Sequence, residues 1–309
     1  MLNLLPPTLR KVFGMTVNGR SPAQHPEEWL LMALAVNRLG IKRELVYRLL
    51  NDGPLPRRFR YRHFAVAKKD GSARQIVAPG PDLMEVQRKI LKQLLRKAKP
   101  HPSAIGFRTK KSIADHAWAH AGAAIIITAD IEDFFPSTPR QRVKEWWHNQ
   151  GYSTLETRLL TSLTTYLGSL PQGAPTSPAL SNLVNAELDG AIERRVRQSG
   201  GSYTRYSDDM VFSWPAPFCP PADFENAIRT LLRGAGYQLH PGKGWHLWYR
   251  QEQPQVTGVI LTKRGTADIP PSMLRIMQVL ARSTDGDDLA RLAGYEGYRR
   301  MVTRSNLRR

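Results

Sequence analysis

Apolar residues recur at spacings of three and four through much of the chain and gather into short runs elsewhere, so the pattern predicts helices and strands mixed in an α+β fold. From Pro26, a residue suited to a first helical turn, Trp29, Leu30, Ala33, Leu34 and Leu39 mark a helix ended by Gly40. A second helix over 41–50 closes at Asn51-Asp52-Gly53-Pro54. Residues 61–67 and 73–79 read as strands around a Gly-containing turn, a hairpin whose tip carries Lys68, Lys69 and Arg74. Over 83–98 the set Val86, Ile90, Leu91, Leu94, Leu95 and Ala98 predicts an amphipathic helix with a basic outer face. Further helices are expected over 140–150, 154–166, 178–197 and 223–232, and from 271 to the end. Strands are expected over 124–128, 203–206, 210–213 and 256–261, with a strand and turn over 237–243.

Two of these strands carry acids where chemistry can use them. Tyr206-Ser207-Asp208-Asp209 lies between 203–206 and 210–213, a strand, tight turn and strand that present two adjacent carboxylates. Adjacent carboxylates repel, so such a turn is either solvated or faces a positive charge such as a divalent metal. Asp287-Asp288 shows the ordinary alternative, acids just ahead of an apolar-periodic run, where a helix favours them in its first turn. The partner for the first pair is Asp130, at the end of the apolar run 124–128. Nucleotidyl transfer needs carboxylates from separate strands to hold two cations, and strand alternation favours Asp130 over Glu132 and Asp133 as the ligand.

Composition narrows the partners. The 309 residues suffice for one large domain or two to three subdomains, and 41% are hydrophobic. No run approaches the roughly 18 to 20 apolar residues of a membrane span, and no secretory pattern opens the chain, so a cytoplasmic protein without membrane contact is expected. Cys219 is the one cysteine, which excludes an internal disulfide and a thiolate zinc site. Lysine and arginine number 45 against 26 acids, a net charge of +19 that attracts polyanions, nucleic acid foremost. From Arg88 to Lys111 no acid interrupts the cations Arg88, Lys89, Lys92, Arg96, Lys97, Lys99, Arg108, Lys110 and Lys111, which reads as a stripe for phosphates. Over 170–182, Gly173 allows close approach of a ligand to the backbone ahead of a helix N-terminus. His116 and His120 stand one helical turn apart, spaced for a metal, although a structural or RNA-contacting role is the preferred reading.

In this order the stretches resemble the reverse transcriptases across residues 61–261. Tyr206-Ser207-Asp208-Asp209 matches the YxDD motif, residues 130–137 look like the strand-and-aspartate motif that precedes it, and 170–182 is similar to the LPQG-x-x-x-SPxxSN stretch of bacterial members. Val256-Thr257-Gly258 matches the VTG signature of retron enzymes, and His116-Ala117-Trp118-Ala119-His120 stands where these carry NAxxH, with His116 in place of Asn.

The resemblance implies a right-hand polymerase with N-terminal helices and fingers over 1–119. A palm, an antiparallel sheet with helices on one face, would occupy 120–255 with fingers helices interleaved at about 140–170, and a primer-grip strand and short helical thumb 256–309. It implies that Asp130 and Asp208, with the Ile131 carbonyl and Asp209, hold two Mg²⁺ ions, for which Mn²⁺ can substitute. Lys243 would protonate the leaving pyrophosphate. Lys68 and Arg74 would grip the triphosphate, Phe135 would exclude a ribose 2′-OH, and Gln172 and Gly173 would line the incoming dNTP. RNA contacts are expected at Arg88, Lys89, Lys92, Arg96, Lys97, Lys110, Lys111, His116, His120, Arg299 and Arg300. The implied activity copies a structured noncoding RNA, as template and primer, into single-stranded DNA in anti-phage defence, with a separate effector protein as a further partner. Little chain follows the thumb, which speaks against an added nuclease or maturase domain. Another defence-associated or group II intron-like reverse transcriptase, and an RNA-binding scaffold with an inactive site, stay open as alternatives.

Overall fold

The computed structural model describes residues 26–67, 71 and 73–304. Lys68, one of the expected triphosphate contacts, lies outside them. The chain divides into two units, residues 1–99 with 135–184 and residues 100–134 with 185–309.

The first unit is mainly helical, with Pro26–Met32, Arg43–Leu50, Pro81–Gln93, Arg140–Asn149, Thr154–Thr164 and Ser177–Val184. Leu31, Leu39, Val46, Ile90, Leu95, Val143, Trp147, Leu160, Leu163 and Leu180 close its core. Helix Thr154–Thr164 starts on a reciprocal cap, in which the Ser153 amide donates to Glu156 and the Glu156 amide donates to the Ser153 hydroxyl. Strands β1 (Tyr61–Ala67) and β2 (Ala73–Pro79) form the expected hairpin, in register from Tyr61 opposite Pro79 to Ala67 opposite Ala73. Its base is anchored where the buried Gln87 amide donates to the Tyr61 hydroxyl at 2.7 Å and to the Leu163 carbonyl at 2.8 Å. Most of β1 is exposed on both faces.

The second unit is built on an antiparallel sheet of β3 (Ile125–Asp130), β4 (Ser202–Tyr206), β5 (Asp209–Trp214) and β6 (His246–Tyr249), in the order β4-β5-β3-β6. Phe212, Trp214 and Phe224 pack edge to face beneath it, Phe224 coming from helix Phe224–Gly234. The strand expected over 237–243 is only a bridge from Leu239 to Ile131, and β6 follows a few residues later. His246, Leu247 and Tyr249 of β6 are exposed, so this edge strand lacks the apolar alternation that marks a half-buried one. The expected single strand over 256–261 is two, β7 (Gln255–Val256) and β8 (Val259–Leu261), folded back at Thr257-Gly258 and joined by β9 (Ala267–Asp268).

Two expected long helices are broken. Residues 178–197 form Ser177–Val184 and Ala186–Arg197, interrupted at Asn185, whose buried amide donates to the Tyr237 hydroxyl at 2.9 Å. The apolar periodicity runs through that break, which is why the pattern conceals it. The C-terminal stretch forms Pro271–Leu280 and Gly286–Arg304, the second begun by Asp285, whose side chain accepts from the amides of Asp287 and Asp288. Asp287 and Asp288 occupy the first helical turn, as the sequence suggests. Among the described residues no helix is long and apolar enough to cross a membrane.

Candidate active site

Register brings the acids together. Tyr206 pairs with Asp209 at the end of the β4–β5 ladder, leaving Ser207 and Asp208 as a two-residue turn. Ser207 takes φ 61°, the left-handed value that a tight hairpin matching strand twist needs at its first corner. A serine there is strained, and three contacts hold it. Arg205 Nη1 donates to the Ser207 carbonyl at 2.9 Å. Gly106 lies so close behind the turn that a Cβ would stand 2.9 Å from the Ser207 amide. The Ile131 amide donates to the Asp208 carbonyl at 3.1 Å, tying the turn to the end of β3.

Asp130 is the register partner of Asp209 across β3 and β5, so carboxylates from separate strands meet at one end of the sheet. Burial, then the charges of Asp208 and Asp130, push the Asp209 carboxyl up to about 7, while Lys243 pulls it down. Lys243 therefore belongs to the same cluster. Its turn is shaped by His240, whose amide donates to the Asp130 carbonyl at 2.9 Å and whose Nδ1 accepts from the amides of Gly242 and Lys243. The Lys243 side chain itself is exposed.

Hard oxygen donors with mutual repulsion suit a hard divalent cation, which would relieve the charge that raises Asp209. Asp130, Asp208 and Asp209 are the side chains that would hold such a cation, with the Ile131 carbonyl adjacent; the Ile131 side chain is buried and its amide is fixed. Among the described residues no three acids, histidines or cysteines are already placed together as a metal-holding group.

A sequence comparison decides the family. The family model described as reverse transcriptase (RNA-dependent DNA polymerase) matches residues 66–261, well over half of the chain. The protein belongs to the reverse transcriptase family. It is similar to the retron Mx162 reverse transcriptase of Myxococcus xanthus, 29% identical over 280 residues, covering 78% of this chain and 58% of that protein. The retron Ec86 reverse transcriptase of Escherichia coli is 40% identical over 157 residues, covering 50% of this chain and 49% of that protein. The chain thus spans about half the length of these relatives. The resemblance to retron-type reverse transcriptases read from the motifs is borne out, and reverse transcriptases as a family use divalent metal ions.

The remaining expected residues of this reverse transcriptase fall as follows. In the first unit, Arg74 is exposed on β2 opposite Val66. The Gln172 carbonyl accepts from the Val77 amide at 2.8 Å, so the 170–175 loop lies along β2. Gly173 has φ 135°, and a Cβ there would stand 2.9 Å from Ile76 Cγ2, so only glycine lets the loop pass. Phe135 is half-buried against the first unit's core.

Arg88, Lys92, Arg96 and Lys97 are exposed, as are Lys110 and Lys111 in the second unit and Arg299 and Arg300 on its last helix. Lys89 is less free than expected, since its ammonium donates to the Leu39 carbonyl at 3.2 Å and pairs with Glu85 at 3.0 Å.

His116 and His120 correct the expectation that they touch RNA. They are 0% and 1% exposed, and burial lowers the pKa of both, that of His116 to about 4. His116 Nδ1 lies 2.7 Å from the Thr257 hydroxyl, and His120 bridges the Ser213 and Thr204 hydroxyls at 2.7 Å each. They are neutral struts joining helix Ile113–Trp118 to the sheet and to the β7–β8 turn.

Sequence reasoning missed Arg205 and Asp189. The guanidinium is 1% exposed and grips the fully buried carboxylate through Nε at 2.9 Å and Nη2 at 2.7 Å. Tyr203 adds a hydroxyl donor to the same carboxylate at 2.8 Å, and Phe134 lies 5.2 Å beneath the guanidinium. Burial lowers the pKa of Arg205, but the charge and hydrogen bonds of Asp189 outweigh it and raise it above its ordinary value. The available signal was Asp189 itself, which shares the i, i+3, i+7 face of Ile192 and Val196 and therefore points inward.

Proposed function

We propose that this chain is an RNA-directed DNA polymerase of retron type, copying a partner noncoding RNA into single-stranded DNA from a primer 2′-OH within that RNA. The observation that carries this reading is the pairing of Asp130 with Asp209 beside the Ser207-Asp208 turn, inside the stretch matched by the reverse transcriptase family. Asp130 and Asp208 are assigned to two Mg²⁺ ions, with Asp209 and the Ile131 carbonyl assisting and Mn²⁺ as a substitute. Cations held by these residues would supply acidification of the primer hydroxyl and neutralisation of charge at the α-phosphate. The chain's own residues do the rest. Lys243, exposed beside the acids, donates a proton to the leaving pyrophosphate. By family resemblance alone, Lys68 and Arg74 grip the triphosphate, Gln172 and Gly173 line the dNTP, and Phe135 denies room to a ribose 2′-OH.

The exposed cations Arg88, Lys92, Arg96, Lys97, Lys110, Lys111, Arg299 and Arg300 are assigned to RNA phosphates, which position a nucleic acid without reading it. A role in anti-phage defence with a separate effector belongs to the same reading.

The test is to express the chain with its native flanking DNA and purify it. A bound RNA–DNA species whose DNA resists RNase, and is missing with Asp208→Asn, is the expected result. A wild-type protein that binds RNA yet extends no primer would identify a scaffold with an inactive site instead.

A further inference from the structure

Beside the hairpin of Asp208 and Asp209, residues 102–108 form a loop whose first half, Pro102 to Gly106, is held through its backbone, with one large apolar side chain left out. The amides of Ile105 and Gly106 donate to the Arg205 carbonyl at 2.8 and 3.4 Å, and the Arg205 amide donates back to Ser103 at 2.8 Å. Arg108 Nη1 closes the loop on its other side, donating to the carbonyls of Pro102 at 3.0 Å and Ala104 at 3.3 Å. Gly106 packs directly on Tyr206 and Ser207, leaving no room for a Cβ.

Phe107 follows, 51% exposed, at φ 58°. A left-handed backbone is strained for an aromatic residue, and strain that the surroundings impose in this way clusters at functional sites. Its ring centroid is 5.7 Å from that of Tyr206, the residue directly before the Ser207-Asp208 turn. Arg108, Lys110 and Lys111 follow; Lys110 and Lys111 are exposed, Lys111 pairing with Asp115 at 3.8 Å, while Arg108 is held on the loop's own carbonyls. An exposed ring fixed in place with cations beside it is the arrangement that stacks a nucleobase while the cations take its phosphates. An apolar protein partner has no use for such a fringe.

We propose that Phe107 is a base-stacking residue, forming with Tyr206 a platform for the nucleobase at the primer terminus. The inference rests on the polymerase reading, and it deepens that reading by naming what touches the base next to the reacting end.

The test uses the full chain carrying Asp208→Asn, so that no synthesis intervenes, and an RNA template annealed to a DNA primer ending in 2-aminopurine. Quenching of 2-aminopurine on binding is expected, with Phe107→Ala removing it and weakening binding about 5- to 100-fold, the range of one lost stack. Phe107→Trp should restore both and Phe107→Leu, apolar without a ring, should not. Phe107→Gly relieves the left-handed backbone, so it should raise Tm while losing the quench, a split that a merely structural Phe would not give. Undiminished quenching and affinity in Phe107→Ala or Phe107→Leu would overturn the proposal. Failure of the polymerase reading shows separately, as absence of primer extension by the protein with Asp208 intact.

Discussion

Asp189→Asn is the substitution whose consequence can be worked furthest. It keeps the size of the side chain and removes the charge that pairs with Arg205, leaving a guanidinium at 1% exposure without a counter-ion. Two hydrogen bonds from Arg205 and one from Tyr203 converge on that carboxylate, so the loss includes their charge assistance. Breaking a buried pair from one side costs about 3–5 kcal/mol, which for a chain of this size lowers Tm on the order of 10 °C. Thermal and urea unfolding followed by circular dichroism measure it. The double variant Asp189→Leu with Arg205→Met removes both charges and should recover most of that stability, since two packed apolar side chains replace a costly buried pair. It should not recover primer extension, because Arg205 also supplies the donor to the Ser207 carbonyl that holds the Ser207-Asp208 turn. A single variant within about 1 kcal/mol of the wild type would refute the energetic argument. A double variant with full activity would show that the turn does not depend on Arg205.

Three further outcomes are expected. Asp208→Asn should abolish DNA synthesis while RNA binding, measured by filter retention, stays within about twofold, because the phosphate contacts come from the basic surface; equal loss of both on a folded protein would reject that partition. Phe135→Ala should admit ribonucleotides, and unchanged dNTP over rNTP discrimination in single-nucleotide extension would remove Phe135 from the gate. His116 is held neutral with its pKa lowered to about 4, so the unfolded chain binds its proton first and stability is lost as pH falls from 6.5 towards 4. Urea midpoints should therefore show a loss of about 2 kcal/mol from this group between pH 7 and pH 5, absent in His116→Asn, and an equally steep profile in that variant would place the effect elsewhere.

How much of this was legible in the sequence depends on how far the deciding contact reaches along the chain. The β1–β2 hairpin, β3, and the strands around Asp208-Asp209 declare themselves through local alternation and turn residues, and the acids declare themselves by standing at strand ends. Asn185 illustrates the opposite case. The apolar face runs unbroken from Leu180 through Leu188 to Ile192, and the helix ends at Val184 because a distant residue, Tyr237, accepts the Asn185 amide. β6 was displaced for a related reason, since an edge strand with exposed side chains carries no alternation to read.

The sequence left the histidines open between a structural and an RNA-contacting role, because helical spacing shows which residues share a face and not whether that face meets solvent or Thr204, Ser213 and Thr257. The same limit hid the device that holds the site. Three residues of β4, Tyr203, Thr204 and Arg205, are all buried, so alternation does not mark Arg205 as inward, and an arginine before Tyr206 reads as another cation for nucleic acid in a chain of +19. Asp189 decides otherwise. A carboxylate fully enclosed in the second unit requires a cation of its own, and Arg205 is the one it holds; a further donor of the same guanidinium goes to the carbonyl of Ser207, directly before Asp208 and Asp209.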